Sequence, residues 1–251
     1  MDLLIASLAD RPDLEPVFES FPDSWPEFMY HDIVSATLFE RLLRAHPEMN
    51  LVAVDTADPR RPLARACAVP YGWPLDAGAD LPDGGYDHII LSGMDDLVHD
   101  RPRGTLSAAL EITVRPDQRG YGLSGRILGA LREQLARLGF TDLVAPVRPN
   151  RKHEHQAEPM AAYLARTRDD GMPADPWIRT HIRAGATVVG IANTSMTVAA
   201  RLDSWRVWTG VPFDVDGPTA VPQALAPVHC DLERDLGVYV EPNVWMRHHL
   251  T

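Results

Sequence analysis

The chain has 251 residues, of which 45% are hydrophobic, and its formal net charge is -11 at pH 7. This length can bury a core as one elaborated domain over residues 1–251, and the negative charge argues against nucleic acid or anionic membranes as partners. The chain lacks a basic segment followed by an apolar run near its start, and it contains no stretch of eighteen apolar residues. We therefore expect a cytoplasmic protein.

The first hundred residues predict two helices, a hairpin and an acidic segment. Apolar residues recur at helical spacing over residues 12–21 and 33–50, and two β-rich runs over 51–55 and 63–69 are joined by a Pro/Asp turn. From Tyr71 to Asp100 the pattern is lost. Glycines, prolines and seven aspartates occur there without any Lys or Arg: Asp76, Asp80, Asp83, Asp87, Asp95, Asp96 and Asp100. This segment is either a solvated loop or a negatively charged wall of a substrate pocket.

The next elements predict a strand over 105–114, a helix from Gly122 to Gly139 and a strand over 140–149. The turn between the first strand and the helix, "VRPDQRGYGLSG", fits two phosphate-binding patterns. One is the G-x-G-x-x-G of dinucleotide-binding folds, counted from Gly120. The other is an R-x-x-G-x-G/A loop, counted from Arg119.

The residues that lead into the turn distinguish the two patterns. In a dinucleotide fold the strand runs almost directly into the first glycine, whereas here a polar segment with a proline separates Val114 from Gly120. The acidic residue expected at the end of the following strand is also misplaced, because Asp142 lies at that strand's beginning. Both observations favour the second pattern.

The segments "LEITVRPDQRGYGLSGRILGAL" and "LVAPVRPN" resemble the GNAT superfamily of acyltransferases, and the resemblance covers roughly residues 10–200. It implies an α/β (α+β) fold: a mixed central sheet with splayed central strands, flanked by helices. The segments "DPWIRTH" and "YVEPNVW" are similar to those of a bacterial subgroup of GNAT-like proteins. Residues 201–251, with a short helix and two β-rich runs, are expected to form a C-terminal hairpin extension.

The resemblance also implies a coenzyme A site. Backbone N–H groups at the mouth of a helix form an anion nest, and the charge of Arg119 adds to it. Ser124 replaces the family's last Gly or Ala, and Lys152 either reaches the phosphates or lies at the surface. The implied contacts to acetyl-CoA, or another acyl-CoA, are Ile112, Thr113 and Val114 for the pantetheine arm, Arg119, Gly120, Tyr121, Gly122, Leu123 and Ser124 for the pyrophosphate, and Asn150.

Acetyl transfer from a thioester to an amine needs a base for the amine and a proton for the thiolate. By resemblance, Glu111 on the central strand is the candidate base. His181 stands where the family often has a tyrosine acid, and Tyr163 is the alternative acid. An imidazole near its ordinary pKa of about 6.5 could donate a proton at neutral pH.

No metal is expected. Cys67 and Cys230 form no C-x-x-C motif, and the pairs His153/His155 and His248/His249 lack a third ligand at fixed spacing. Three functions stay open: an N-acetyltransferase acting on a small-molecule amine, a GNAT-fold acyl-CoA decarboxylase or hydrolase, and a non-catalytic acyl-CoA-binding protein.

Overall fold

The computed structural model describes residues 2–22, 24–75 and 78–250. Strands and helices follow one another along this part of the chain, joined by short turns, some of them 3-10 helical. The strands are β1 Leu3–Ser7, β2 Asn50–Asp55, β3 Asp58–Pro70, β4 Leu106–Val114, β5 Asp142–Val147, β6 Thr187–Ala200, β7 Gly217–Thr219, β8 Val228–Asp231 and β9 Leu236–His249. The helices are α1 Glu15–Glu19, α2 Ile33–Arg44, α3 Gly85–Val98, α4 Leu123–Arg137, α5 Met160–Leu164, α6 Pro176–Arg183 and α7 Leu202–Thr209.

The nine strands of the described residues form one mixed sheet in the order β1-β2-β3-β4-β5-β9-β8-β7, with β6 pairing β9 outside this path. The pair β4–β5 is parallel, and the others are antiparallel. β4 and β5 pair only from Leu106 to Ala108 and then diverge. The predicted splay of the central strands is therefore confirmed.

Two features accompany this divergence. Cys67 faces Glu111 and Ala68 faces Ala109, so Leu110 of β4 has no partner in β3 and forms a β-bulge. A bulge bends its strand and changes the direction of the side chains after it. In β5, Pro146 has no N–H to offer to a ladder. The central strands thus open a gap in an otherwise continuous sheet.

Helices cover both faces of the sheet. On one face, α4 buries Ile127, Leu131 and Leu135 against β2–β5, together with residues of α5 and α6. On the other face, α2 and α3 bury their apolar residues against the same strands. None of the helices in the described ranges is long and apolar enough to cross a membrane.

The expectation of a solvated loop over 71–100 is wrong for its second half, which is the 14-residue helix α3. Ile89, Ile90 and Met94 are buried in it, with Ile89 and Ile90 fully inaccessible. Their helical spacing was obscured by the aspartates and glycines around them. Asp76, one of the seven aspartates, lies outside the described residues.

The predicted hairpins β2–β3 and β8–β9 are present. β9 is not peripheral, however, because it lies between β5 and β6: its residues 244–247 pair with both strands, and its first residues pair with β8 on the same edge that β5 occupies further along. The C-terminal segment therefore completes the sheet rather than being attached to a finished core. The sequence analysis also missed β1 and extended α2 past its end at Arg44.

Candidate active site

A cleft of about 1520 Å³ opens where β4 and β5 diverge. Its walls come from the unpaired parts of these two strands, the turn before α4, and residues of α1, α2, α6 and β9. Since β3 occupies only one edge of β4, the backbone groups of β4 beyond Ala108 face the cleft without a strand partner. A ligand with its own amide groups can pair with such an edge.

The turn before α4 forms one end of the cleft, which we call the glycine-loop end (Ile112–Val114, Arg119–Ser124 and Asn150). Gly120 and Gly122 have φ angles of 88° and 75°, a region that L-residues other than glycine rarely adopt. Gly122 caps α4, so the free N–H groups of the first helical turn point out of the loop. This is the geometry of an anion site at a helix N-terminus, as the sequence predicted.

The predicted cofactor residues meet at this end with one exception. Their side chains or backbone atoms line the cleft: Ile112, Thr113, Val114, Arg119, Gly120, Gly122, Leu123, Ser124 and Asn150. Tyr121 is 74% exposed and is not among the lining residues. Because its side chain points into solvent, only its backbone N–H could contribute to an anion site.

Lys152 is neither a phosphate ligand nor a surface residue. It is 1% exposed, and its Nζ donates hydrogen bonds of 2.8 Å to the carbonyl oxygens of His155 and Leu225. Both alternatives left open by the sequence are wrong, because the ammonium group joins two chain segments inside the protein.

Glu111 lines the cleft from β4, one residue before the segment that faces the glycine loop. Its two carboxylate oxygens accept hydrogen bonds of 2.8 and 2.9 Å from Nε and Nη2 of Arg65. Burial alone would lower the pKa of Arg65, but the Glu111 carboxylate raises it above the ordinary value. The two hydrogen bonds hold the Glu111 carboxylate in a fixed position.

His181 also lines the cleft, from α6, and is 1% exposed. Its Nδ1 lies 2.9 Å from Nε2 of His248 in β9, and the edge of the Trp177 ring packs against it. Burial, with a further contribution from His248, lowers the pKa of His181 to about 3. The expectation that His181 titrates near 6.5 is wrong, and the imidazole is neutral at pH 7.

Tyr163 is not a cleft residue. It is 5% exposed, and its hydroxyl donates a 2.8 Å hydrogen bond to Oδ2 of Asp175. Asp175 in turn caps α6 by accepting from the N–H groups of Trp177 and Ile178. Burial and then the Asp175 carboxylate raise the pKa of Tyr163 above its usual range. Its visible role is to fix the start of the helix that carries His181.

The remaining wall of the cleft, which we call the acidic end, carries glutamates and aromatic rings: Glu15, Glu19, Trp25, Tyr30, Phe39, Glu40, Tyr86 and Glu241. Arg44 lies 3.7 Å from Glu19 and 3.5 Å from Glu40. Of the described residues in the predicted acidic segment, Tyr86 alone lines the cleft. The glutamates of the cleft thus come from α1, α2, β4 and β9 and not from residues 71–100, and Arg44, Arg65 and Arg148 line the cleft beside them.

Comparison with known proteins identifies the family. No protein-family model matches the chain. The arginine N-acetyltransferase avaD of Aspergillus versicolor is 32% identical over 274 residues, which cover 97% of this chain and 93% of that protein.

The chain belongs to the GNAT superfamily.

Two solved structures share this GNAT fold. The loading GNATL domain of CurA from Lyngbya majuscula matches with a TM-score of 0.59 at 15% identity, covering 99% of this chain and 97% of that one. The GphF GNAT-like decarboxylase in complex with isobutyryl-CoA matches with a TM-score of 0.56 at 19% identity, over the full length of both chains. The predicted fold and the class of acyl-CoA-dependent N-acetyltransferases are confirmed, whereas the bacterial subgroup stays a prediction.

Several residues of this GNAT cleft were missed by the sequence analysis. Glu241 is 1% exposed and accepts a 2.9 Å hydrogen bond from Nε of Arg148. It also accepts from the Tyr239 hydroxyl at 2.7 Å and from the Asn243 amide at 3.0 Å. Three of these residues lie in "YVEPNVW", which the sequence analysis noted without assigning a role. The pattern of alternating polar residues in an apolar strand was the available signal.

A second acid, the half-buried Asp87, follows Tyr86 in α3. Oδ2 of Asp87 accepts from the Thr197 N–H at 3.3 Å, while the carboxyl groups of Asp87 and Asp32 lie within hydrogen-bonding reach of each other. Burial, followed by the charge of Asp32, raises the pKa of Asp87 to about 8. This carboxyl pair therefore holds a proton at pH 7.

Proposed function

We propose that this protein transfers the acetyl group of acetyl-CoA to the amine of a small cationic molecule, and that arginine is the first candidate acceptor. The observation that carries the proposal is the 32% identity to an arginine N-acetyltransferase over nearly the whole of both chains. The acidic end supports it independently: Arg44 and Arg148 line the same wall and pair with three of its four glutamates, and the negative charge that remains attracts a cationic acceptor.

In the proposed reaction the amine nitrogen attacks the thioester carbonyl carbon, and the carbon–sulfur bond breaks. One proton must leave the nitrogen, and the thiolate of coenzyme A must gain one. Glu111 receives the proton of the amine directly or through water. Each of its oxygens accepts one bond from Arg65 and keeps lone-pair capacity for a second.

The unpaired backbone of β4 serves the other half of the reaction. Beyond Ala108, N–H groups of β4 face the cleft with no partner strand. A backbone N–H that points at the thioester oxygen stabilises the negative charge that develops there. Because His181 is neutral at pH 7, the proton for the thiolate comes from the attacking nitrogen or from water rather than from an imidazolium.

Two alternative functions differ from this proposal in what they would produce. A decarboxylase is suggested by the fold shared with GphF and would release carbon dioxide from a carboxylated acyl-CoA without any amine. A binding protein without activity would respond to coenzyme A but make no product. Glu111 and His181 both line the cleft, which favours an enzyme over this last alternative.

The test is mass spectrometry of products after incubation with acetyl-CoA and matched amines. Arginine should gain one acetyl group, and Nα-acetylarginine should gain none if the α-amine is the target. Agmatine, which keeps the guanidinium group but lacks the carboxylate, shows whether the acceptor's own carboxylate is needed. Malonyl-CoA without amine tests for decarboxylation. Acetylation of neutral amines alone would contradict the proposal of a cationic acceptor.

A further inference from the structure

Arg148, the residue that follows β5, has a hydrogen-bond donor that no described residue uses. Its Nε donates to the two oxygens of Glu241 at 3.2 and 2.9 Å, and its Nη2 donates to the backbone carbonyl of Gln223. Nη1 makes no hydrogen bond within the described residues, and it is not among their buried atoms without a partner. Since Arg148 lines the cleft with 14% of its side chain exposed, Nη1 faces the cleft.

Glu241 holds this guanidinium but has no capacity left for a ligand. It is 1% exposed, and each of its oxygens accepts from Arg148 and from one further donor, the amide of Asn243 or the hydroxyl of Tyr239. A carboxylate accepts about four hydrogen bonds, and all of these are in use. Glu241 therefore fixes the orientation of Arg148, and Arg148 is the member of the pair that can contact a ligand.

Gln223 supports the guanidinium from the other side. Its φ angle is 67°, in a region that residues other than glycine rarely adopt, and its carbonyl oxygen is the acceptor of Nη2 of Arg148. Strained conformations of this kind persist where the surrounding structure holds them, often at ligand sites. A guanidinium that is fixed before binding also loses less conformational freedom when a ligand arrives.

Arg148 and Glu241 lie on the face of the sheet opposite to α4. Asn243, two positions from Glu241 in β9, is paired with Ala192, which packs with α2 and α3. Because side chains alternate along a strand, Glu241 and the Arg148 bound to it lie on the same face as these helices. The glycine loop precedes α4, which packs on the other face. Arg148 is therefore available for an anion other than the phosphates of coenzyme A.

The proposed base lies on this same face. Glu111 of β4 is paired with Cys67 of β3, which also packs with α2 and α3. Glu111 and Arg148 thus line the cleft from the two strands that diverge, one on each side of the gap.

Tyr86 of α3 connects these two sides. Burial and then the charge of Glu111 raise the pKa of Tyr86 well above its ordinary value, so its ring is close to that carboxylate. Its backbone N–H donates to Oγ of Ser195 at 2.9 Å, and that hydroxyl donates to the Asn243 amide oxygen at 2.6 Å. Asn243 in turn donates to Glu241. One short chain of contacts therefore joins the base to the pair that holds Nη1.

We propose that Nη1 of Arg148 binds the carboxylate of the acceptor, with Glu241 as a positioning residue, so that the acceptors are free amino acids with a cationic side chain. In an α-amino acid the amine and the carboxylate are attached to one carbon atom, so an amine held at Glu111 brings its carboxylate into the same part of the cleft. Guanidinium groups suit this role because their N–H groups match the geometry of a carboxylate. The inference rests on the proposed function, because it names the substrate class of the same site.

The first test compares arginine with agmatine, which lacks the carboxylate, by kcat/KM at saturating acetyl-CoA. The wild type should favour arginine by about tenfold to hundredfold, the range expected for a hydrogen bond between charged groups. Argininamide, in which a neutral amide replaces the carboxylate, should resemble agmatine. Equal values for arginine and agmatine would overturn the inference.

The second test removes the guanidinium. Arg148→Met alone leaves Glu241 buried without its cation, which destabilises a fold, so Arg148→Met is combined with Glu241→Gln. In the double variant KM for arginine should rise until the preference over agmatine is within about twofold, while KM for acetyl-CoA is unchanged. Arg151→Met is the matched control, because Arg151 pairs with Glu154 outside the cleft, and it should keep the wild-type preference. If the double variant loses both substrates equally, the pair only supports the fold and the inference is wrong.

Glu241→Gln alone tests positioning. It keeps an acceptor for Arg148 but removes the charge, so KM for arginine should rise about threefold at an unchanged kcat, with KM for agmatine unaffected. A fall of kcat for both substrates would contradict a positioning role.

A carboxylate could also come from the acyl group, and malonyl-CoA tests this source. If the double variant binds malonyl-CoA more weakly than the wild type does but keeps its preference for arginine, Arg148 serves the acyl group and the inference is wrong. Titration calorimetry of the protein saturated with coenzyme A measures binding of arginine and agmatine without turnover. Tighter binding of arginine without acetylation leaves the carboxylate site standing while the proposed function fails. Acetylation of arginine without preference over agmatine has the opposite meaning, and binding of neither molecule overturns both proposals.

Discussion

The two ends of the cleft are built in different ways. The glycine-loop end is formed mostly by one continuous segment, from Ile112 to Ser124, whose backbone conformation is fixed by glycines within it. The acidic end is assembled from α1, α2, α3 and β9, which are far apart in sequence. A cosubstrate shared by a superfamily can be held by local backbone geometry, whereas a particular acceptor needs side chains that only the complete fold brings together.

The two ends of the cleft also differ in charge. Arg119 and the N-terminus of α4 favour anions, while the glutamates at the other end favour cations. The cleft therefore suits a polyanionic cosubstrate at one end and a cationic amine at the other. The following predictions test this division, from the largest expected effect to the smallest.

Glu111→Gln should lower kcat by about a hundredfold to ten-thousandfold, the range typical for the loss of a positioned base. The measurement is the initial rate of acetylation at saturating acetyl-CoA. Acetyl-CoA should still raise the melting temperature of the variant, which shows that the glycine-loop end survives. Glu111→Asp, which keeps a carboxylate near Arg65, is the matched control and should retain more activity. Wild-type turnover in Glu111→Gln would remove Glu111 from the mechanism.

Gly122→Val should abolish the stabilisation by acetyl-CoA, about 2.7 kcal/mol at a hundredfold excess over the dissociation constant. A β-branched residue cannot readily adopt the φ of 75° that Gly122 requires. The matched control is Gly129→Ala in the same helix, where a Cβ meets no atom within 4 Å. Thermal unfolding with and without acetyl-CoA, and with NAD as a negative control, makes the comparison. Normal stabilisation of the valine variant would show that the loop does not hold the cofactor.

The buried pair of His181 and His248 should make stability fall as the pH falls. The folded-state pKa values of about 3 and about 4 lie below the ordinary 6.5, so between about pH 6.5 and 4 the unfolded chain binds protons that the folded one excludes. Each histidine contributes a slope of up to about 1.4 kcal/mol per pH unit. Urea unfolding across this range should show a smaller slope in His248→Gln, whereas the exposed His99→Gln should match the wild type.

Behind the acidic end, the Asp32–Asp87 pair should act in the opposite direction. Because the pKa of Asp87 is raised to about 8, stability is lost as the pH rises from about 4 to 8 and the shared proton is given up on unfolding. Asp87→Asn, whose amide can donate to Asp32 without titrating, should raise the melting temperature at pH 8 by about 2–4 °C. Asp87→Ala, which cannot, should lower it. Equal melting temperatures for the three proteins would contradict the shared proton.

The smallest effect is expected at Glu40, an exposed glutamate of the acidic end. Glu40→Gln should raise KM for a cationic acceptor by about twofold to threefold without changing KM for acetyl-CoA, since exposed charges interact weakly in water. The acceptor kcat/KM of the wild type should also fall with added salt. Asp100→Asn, outside the cleft, is the matched control. A rate independent of salt, together with an anionic acceptor, would show that the glutamates of the acidic end do not attract the substrate.

The sequence allowed prediction of the glycine-loop end because its chemistry lies in consecutive residues. The spacing of Arg119, Gly120 and Gly122 fitted two phosphate-binding patterns, the residues before the turn and the family resemblance favoured one of them, and the strand-turn-helix around them followed from periodicity. The sequence indicated His181 as a site residue but not its environment, because its partner His248 is 67 residues away in sequence. Its low pKa is caused by burial, which a sequence pattern does not specify.

The acidic end was predicted in the wrong place for a similar reason. The aspartates of residues 71–100 drew attention because they lie close together in the sequence, yet the glutamates that line the cleft are scattered along the chain. α3 was missed because three aspartates and two glycines interrupt its apolar residues, some of which stay exposed. The insertion of β9 between β5 and β6 depends on pairing between distant strands, which no local pattern encodes.

The burial of Lys152 has a consequence for the surface chemistry of the protein. It is the single lysine of the sequence, and the other members of the 24 Lys and Arg residues are arginines. Its Nζ is enclosed by carbonyl oxygens, so no lysine side chain offers a primary amine to solvent. A protein that binds a reactive thioester thus presents no lysine amine at its surface for that thioester to acylate. Succinimidyl esters and aldehyde cross-linkers should, for the same reason, leave its lysine unmodified until it unfolds.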